Sequence, residues 1–265
     1  MIPRVAKWLL GAVTLTACLF SLAPVLVIVI ESFTSSDYIV FPPPGYSFKW
    51  YAEFAKRSEF VESAIISTVV ALLASLFATG LGTMTAIALV RHRFIGSGML
   101  RALFLAPLSL PGLIFGLALL QFLVRNALPR NVVSMTLAHI IITLPFAVRF
   151  VTVALIGLDR NIELAAASLG ASRLATFRHV TLPLIRPGCV AALVFAFIIS
   201  FDEVAASLFV SSPAAMTLPV RIFVYIDQNY DPLVTAVSTL LVIAAVIALG
   251  LIERAIGVGR LFGLK

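Results

Sequence analysis

Residues 163–187 read ELAAASLGASRLATFRHVTLPLIRP, from Glu163 to Pro187, and stand out because the surrounding chain is almost wholly apolar. Ile162, Ala165, Ala166 and Leu169 recur at i, i+3, i+4 and i+7, which places them on one face of a short helix. Gly170 follows, where a residue in the left-handed conformation stops a helix. Ser172 is positioned to cap a second helical piece in which Leu174, Phe177 and Val180 share a face. Leu182-Pro183 is expected to end that piece, because the residue before a proline disfavours helix. Pro187-Gly188 is then expected to open the next apolar run. A helix lying on a membrane would carry bulky anchors and a Lys/Arg face. This segment carries alanines, which allow close packing into a protein groove. It reads as a helix–bend–helix that a soluble partner grips.

Working outward, 61% of the 265 residues are hydrophobic and 12% charged, with a mean hydropathy of +1.11. A soluble chain of this size carries about a quarter charged residues, so the composition specifies an all-α integral membrane protein. A helix needs about 20 apolar residues to cross the hydrocarbon core. Six stretches qualify, at residues 8–30, 61–90, 99–124, 132–157, 189–210 and 233–257. They are expected to form one six-span domain over 1–265, with the loop 158–188 on one side. None shows the alternation of a barrel strand. Leu15-Thr16-Ala17-Cys18 has the look of a lipoprotein processing site. The apolar run nevertheless continues to Ile30, about twice the length of a signal core, so it reads as an uncleaved first span.

A net charge of +7 could suit nucleic acid, but the basic residues sit singly at the ends of apolar runs and form no stripe with interleaved aromatics, so no nucleic-acid partner is expected. Their distribution instead sets topology. With the N-terminus inside, the inner set is Arg4, Lys7, Arg91, Arg93, Arg101, Arg160, Arg173, Arg178, Arg186, Arg254, Arg260 and Lys265. The outer set is Lys49, Lys56, Arg57, Arg125, Arg130 and Arg221, half as many. Both termini and the 158–188 loop are therefore expected in the cytoplasm. On the outer side, Phe41-Pro42-Pro43-Pro44-Gly45 is a stiff extended turn, followed by Tyr46, Phe48, Trp50 and Tyr51, which suit an interfacial belt.

Charges within spans are costly and face an interior or a water-filled cavity. Asp202 and Glu203 lie in the fifth run, where adjacent side chains point about 100° apart, so one of the two is expected to face a pathway. The pair reads either as a cation-attracting site or as a cap of a broken helix or partner of Arg149. Pro107, Pro111, Gly112 and Gly116 in the third run indicate a broken or kinked helix with close crossings, and Pro111 and Gly112 are candidates for the pathway lining. Gly80 and Gly82 read as packing residues. Cys18 and Cys189 form no framework, and the three histidines lack metal-ligand spacing, so no metal site is expected.

The spacing of residues 163–183 resembles the EAA loop of bacterial ABC-importer permease subunits. Ala165, Ala166, Gly170, Leu182 and Pro183 match, and Val180 stands where isoleucine is usual. The family's acidic position falls on Leu164, and the acid here, Glu163, is one residue earlier. Pro43-Pro44-Gly45-Tyr46 and Ser200-Phe201-Asp202-Glu203 also resemble the spermidine/putrescine branch. The resemblance implies a type I importer permease fold with a cytoplasmic coupling helix, in the bacterial inner membrane. It implies an ATPase dimer docked on Glu163, Ala165, Ala166, Gly170, Ala171, Leu182 and Pro183. It also implies a second homologous permease, a periplasmic substrate-binding protein and surrounding membrane lipid as partners. The substrate it implies is a polyamine, or in sister branches 4-aminobutyrate, an opine or aminoethylphosphonate. A stand-alone secondary transporter is the reading from another class. No Gly-x4-Gly-Lys-Ser/Thr loop is present, so the chain is expected to be no enzyme and to hold no cofactor, with ATP and Mg²⁺ bound by the partner ATPase.

Overall fold

The computed structural model describes residues 4–256 apart from Arg93; Arg93, Arg260, Lys265 and the Gly257 end of the sixth run lie outside the described residues. In chain order the helices are α1 (Arg4–Glu31), α2 (Lys49–Ala55), α3 (Ser58–Arg91), α4 (Ser97–Leu105), α5 (Gly112–Arg125), α6 (Val132–Ile156), α7 (Arg160–Ser168), α8 (Arg173–Thr176), α9 (Leu182–Asp202), α10 (Ser207–Val210), α11 (Leu218–Gln228) and α12 (Leu233–Ile256). A 3₁₀ turn, Ala106–Ser109, extends α4, and a π turn, Phe177–Thr181, joins α8 to α9. Regular structure among the described residues is helical, as a chain in hydrocarbon requires.

Among the described residues, four helices are long and apolar enough to cross a membrane: α1, α3, α6 and the continuous run Arg173–Asp202. The third expected span is the pair Ser97–Ser109 and Gly112–Arg125, bent by 106°. The bend follows from Pro111, which fixes φ and donates no N–H, beside Leu110 in extended conformation. The third run is therefore broken, not merely kinked. α12 occupies the sixth run, its apolar part being Leu233–Ile247.

The described residues divide into two compact units, 4–60 with 222–256 and 61–221. In the first, α12 packs on α1 and α2. Apolar side chains along α1, from Trp8 to Ile30, are exposed, which suits lipid contact. The segment after α1 is built on aromatic edges: Phe33 meets Phe48 at 5.4 Å and Tyr51 at 5.3 Å, while Ser32 Oγ and Tyr51 OH lie 2.7 Å apart. Tyr46 and Phe48 are exposed as a belt requires, but Trp50 is buried, its Nε1 donating to the Ser36 carbonyl at 3.2 Å. Asp231 accepts from Tyr225 OH at 2.6 Å and from Leu233 N at 3.1 Å, so it caps α12. Burial, then this hydrogen bond, push the Tyr225 phenol above its ordinary range.

In the second unit α6 is the hub, packed chiefly along α9. Its N-terminus is fixed by a capping box, with Asn131 Oδ1 accepting from Val133 N and Ser134 N, and Ser134 Oγ accepting from Asn131 N. One core cluster joins Ala78, Ala86, Ala147, Val151, Leu155, Ile185 and Ala192. A second joins Val70, Leu123, Met135, Ala138 and Val210. The preponderance of alanine lets backbones approach closely, which in lipid replaces the hydrophobic driving force. At Gly82 and Gly188 there is no room for a methyl: a Cβ would stand 2.8 Å from that of Ala147 at the first and collide with that of Ala154 at the second. Gly80 faces open space and has no packing role among the described residues.

This contrast gives a direct test of helix packing. Gly188→Val should wedge α6 from α9 and cost about 1–3 kcal/mol, the usual range for overpacking. Gly80→Ala should leave stability unchanged or raise it, because it replaces a helix-interior glycine. Thermal unfolding of the purified protein in detergent measures both; equal midpoints for the two variants would refute the packing assignment.

Candidate functional site

Two places in the second unit bring together chemistry-bearing residues. The first is the 159–181 segment. Asp159 caps α7, its Oδ1 accepting from Asn161 N at 2.9 Å. α7 ends in Gly170 with φ +87°, a conformation that glycine adopts without strain. Ser172 Oγ then accepts from Ala175 N at 3.2 Å and starts α8. The helix–bend–helix is thus present, with the bend where the glycine demands it.

Its second arm differs from expectation. It does not end at Leu182-Pro183, nor does a new helix open at Pro187-Gly188 or Cys189. Helix runs without interruption from Arg173 to Asp202. Pro183 falls in the first turn of α9, and the π turn shifts the hydrogen-bond pattern just ahead of it, so the proline's missing N–H is accommodated.

The surface of the segment is apolar and open. Leu169 is 90% exposed and Leu174 74% exposed, flanking Gly170, whose missing side chain faces empty space. Ala165, Leu182 and Pro183 are exposed, while Ala166 and Ala171 are half-buried. Glu163 is turned the other way. Its Oε1 accepts from Thr181 Oγ1 at 2.7 Å, and its Oε2 lies 2.8 Å from Arg91 Nε, an ion pair whose angle is not that of a directed hydrogen bond.

The second place is the end of α9. Helix stops at Asp202, Glu203 is extended, and α10 resumes at Ser207. Glu203 Oε1 accepts from Ala206 N at 2.8 Å, satisfying a donor that the break would otherwise orphan. His139 of α6 spans the same break, with Nδ1 2.7 Å from Ser200 Oγ and Nε2 2.8 Å from Ser207 Oγ. All three side chains are buried, so one ring nitrogen donates and the other accepts across the interruption. Asp202 is exposed and makes no hydrogen bond or ion pair among the described residues. Arg149 is exposed as well and pairs with neither acid.

The break in the third span lies against this one. The missing side chain of Gly112 would come within 3.0 Å of Ala205 Cβ, and that of Gly116 within 2.7 Å of Ala206 Cα. Pro111 and Gly112 therefore stand beside the 203–206 interruption, near Asp202. Of the residues singled out in the sequence, the structure groups Pro111, Gly112, Asp202 and Glu203 in one place and the 163–183 set in another. Sequence reasoning did not find Arg91, which looked like a topology charge, or His139, whose serine partners lie 61 and 68 positions away. Among the described residues no cluster of His, Cys, Asp and Glu could hold a metal ion.

Comparison with known proteins bears on the family and the fold. Residues 78–257 match the family described as binding-protein-dependent transport system inner membrane component. The chain is 35% identical over 229 residues to the putrescine transport system permease protein PotI of Escherichia coli K12, covering 84% of this chain and 81% of that one. It is 31% identical over 234 residues to the spermidine/putrescine transport system permease protein PotC of the same organism, covering 87% and 88%. The fold is similar to that of a chain in the crystal structure of a bacterial alginate ABC transporter in complex with an alginate pentasaccharide-bound periplasmic protein, with a TM-score of 0.73, 15% identity and coverage of 94% and 95%. An all-helical membrane chain with a glycine-bent loop ahead of its fifth span thus belongs to the binding-protein-dependent transport system inner membrane component family.

Proposed function

We propose that this chain is a permease subunit of an ATP-driven importer and forms half of the pathway by which a polyamine of the putrescine/spermidine type crosses the bacterial inner membrane. The observation that carries the substrate class is Asp202, an unpaired carboxylate where two interrupted spans meet. A carboxylate is costly in a membrane unless it meets water or a cation. A polyamine supplies that cation, and the similarity to PotI and PotC points to the same chemistry. The division of labour between the adjacent acids follows from their contacts: Asp202 faces the substrate and Glu203 holds the break open by capping Ala206.

In this reading the exposed surface at Leu169, Gly170 and Leu174 seats in a groove of an ATPase, two of which serve a pair of related permeases. Ala165, Ala166, Ala171, Leu182 and Pro183 belong to the same contact, and ATP and Mg²⁺ are held on the ATPase. A periplasmic binding protein delivers substrate to the outer face, in keeping with the complex solved for the alginate transporter. Both termini lie in the cytoplasm, the side on which basic residues are concentrated.

Reconstitution of the complex in proteoliposomes tests both assignments. Asp202→Asn should reduce ATP-dependent uptake of labelled spermidine or putrescine by about tenfold or more, equivalent to ~1.4 kcal/mol of lost stabilisation. Glu203→Gln keeps an acceptor for Ala206 N and should cost about threefold or less. Equal uptake by wild type and Asp202→Asn would overturn the polyamine pathway through this residue. Gly170→Pro is incompatible with φ +87° and should abolish both uptake and co-purification of the ATPase while leaving the chain inserted in the membrane. Retained ATPase in mild detergent would remove the bend from the docking surface.

A further inference from the structure

The acid of the 163–183 segment is not where the family pattern puts it. Leu164 occupies the expected position and is 53% exposed, whereas Glu163 turns back into its own chain. Three elements converge on it. Arg91 closes α3, and its Nε lies 2.8 Å from Glu163 Oε2, with the side chains 15% and 16% exposed. The Nη2 of the same guanidinium donates to the Leu158 carbonyl, just beyond the end of α6, at 3.4 Å. Thr181, buried in the π turn that leads into α9, donates to Glu163 Oε1 at 2.7 Å. One carboxylate in the first turn of α7 thus ties that helix to the ends of three spans. A largely sheltered pair is screened less by salt than a surface pair and holds geometry more firmly. One carboxylate oxygen accepts a hydrogen bond from Thr181 and the other meets the Arg91 charge, so α7 is held at two points on two different elements.

We propose that Glu163 is an intrachain strut and not a contact with the ATPase: through Arg91 and Thr181 it makes displacement of the docked α7 a displacement of α3, α6 and α9 together. This rests on the importer reading above, since a strut needs a driver. Glu163 is a positioning residue. Its loss leaves Leu169, Gly170 and Leu174 free to seat in the ATPase but lets α7 move without carrying the spans. The signature is therefore uncoupling, with hydrolysis continuing while transport falls.

The test uses the full complex in proteoliposomes, with uptake and ATP hydrolysis stimulated by loaded binding protein measured on the same samples. Glu163→Gln and Thr181→Val, both close in volume to the native residues, should keep ATPase co-purification and retain hydrolysis within about twofold, while substrate moved per ATP falls about tenfold. Arg91→Glu alone should behave like Glu163→Gln or worse. The exchange Glu163→Arg with Arg91→Glu should recover a large part of the lost ratio, a coupling that a double-mutant cycle reads directly. Loss of ATPase co-purification in Glu163→Gln would make Glu163 a docking contact and overturn the strut. An unchanged transport-to-hydrolysis ratio in Glu163→Gln, or no recovery in the exchange, would overturn it equally. Failure of the wild-type complex to retain an ATPase or take up substrate would instead sink the importer reading itself.

Discussion

A helix interrupted inside a membrane leaves backbone and side-chain polar groups that water cannot reach, and each must be satisfied from within the protein. Among the described residues, two apolar runs are interrupted, at Leu110-Pro111 and at 203–206. Where α9 gives way to α10, the freed Ala206 N is taken by Glu203, and His139 reaches across from α6 to hold Ser200 and Ser207 on either side. Where the third span breaks at Leu110-Pro111, the missing side chains at Gly112 and Gly116 let α5 lie directly on the backbone of the other interruption. The two breaks pack directly against one another. Asp202 stands beside them as a charge without a hydrogen-bond or ion-pair partner among the described residues.

The same economy explains the rest of the second unit. α6 must approach α9 closely enough for its histidine to span the break, and alanine and glycine along the crossing allow that approach. Bulkier packing would move the imidazole out of reach of one serine. The small-residue composition of this helix pair and the presence of an unpaired acid at its end are connected: one sets the geometry that permits the other.

Much of this was legible in the sequence, because it rests on local chemistry. The apolar runs, the bend at Gly170, the cap at Ser172 and the break near Pro111 each follow from residues within a few positions of the feature. What was hidden depends on distant or competing terms. Pro183 looked like a helix stop, since Leu182-Pro183 disfavours helix in isolation; the π turn ahead of it absorbs the missing donor, and packing of α9 on α6 favours continuity. Adjacent Asp202 and Glu203 are chemically alike, and only the turn between α9 and α10 decides that one caps and the other is free. Glu163 resembled a member of the docking surface because the helical face can be read from periodicity, but its partners Arg91 and Thr181 belong to other elements. Trp50 likewise shares the local pattern of an interfacial aromatic, while its burial depends on the bond to the Ser36 carbonyl 14 positions away.

The unbroken helix from Arg173 to Asp202 has a consequence of its own. Its 30 residues span about 45 Å at 1.5 Å per residue, more than the thickness of the hydrocarbon. One end carries the exposed Leu174, and the other carries the unpaired carboxylate. The exposed apolar surface and the unpaired carboxylate are therefore two ends of one continuous helical rod. Tilting that rod at its base sweeps Asp202 through an arc, with no loop along the way in which the motion can be lost. Compliance is confined to its foot, where the π turn and the interior Pro187 loosen the hydrogen-bond ladder and set how much of each tilt is passed on.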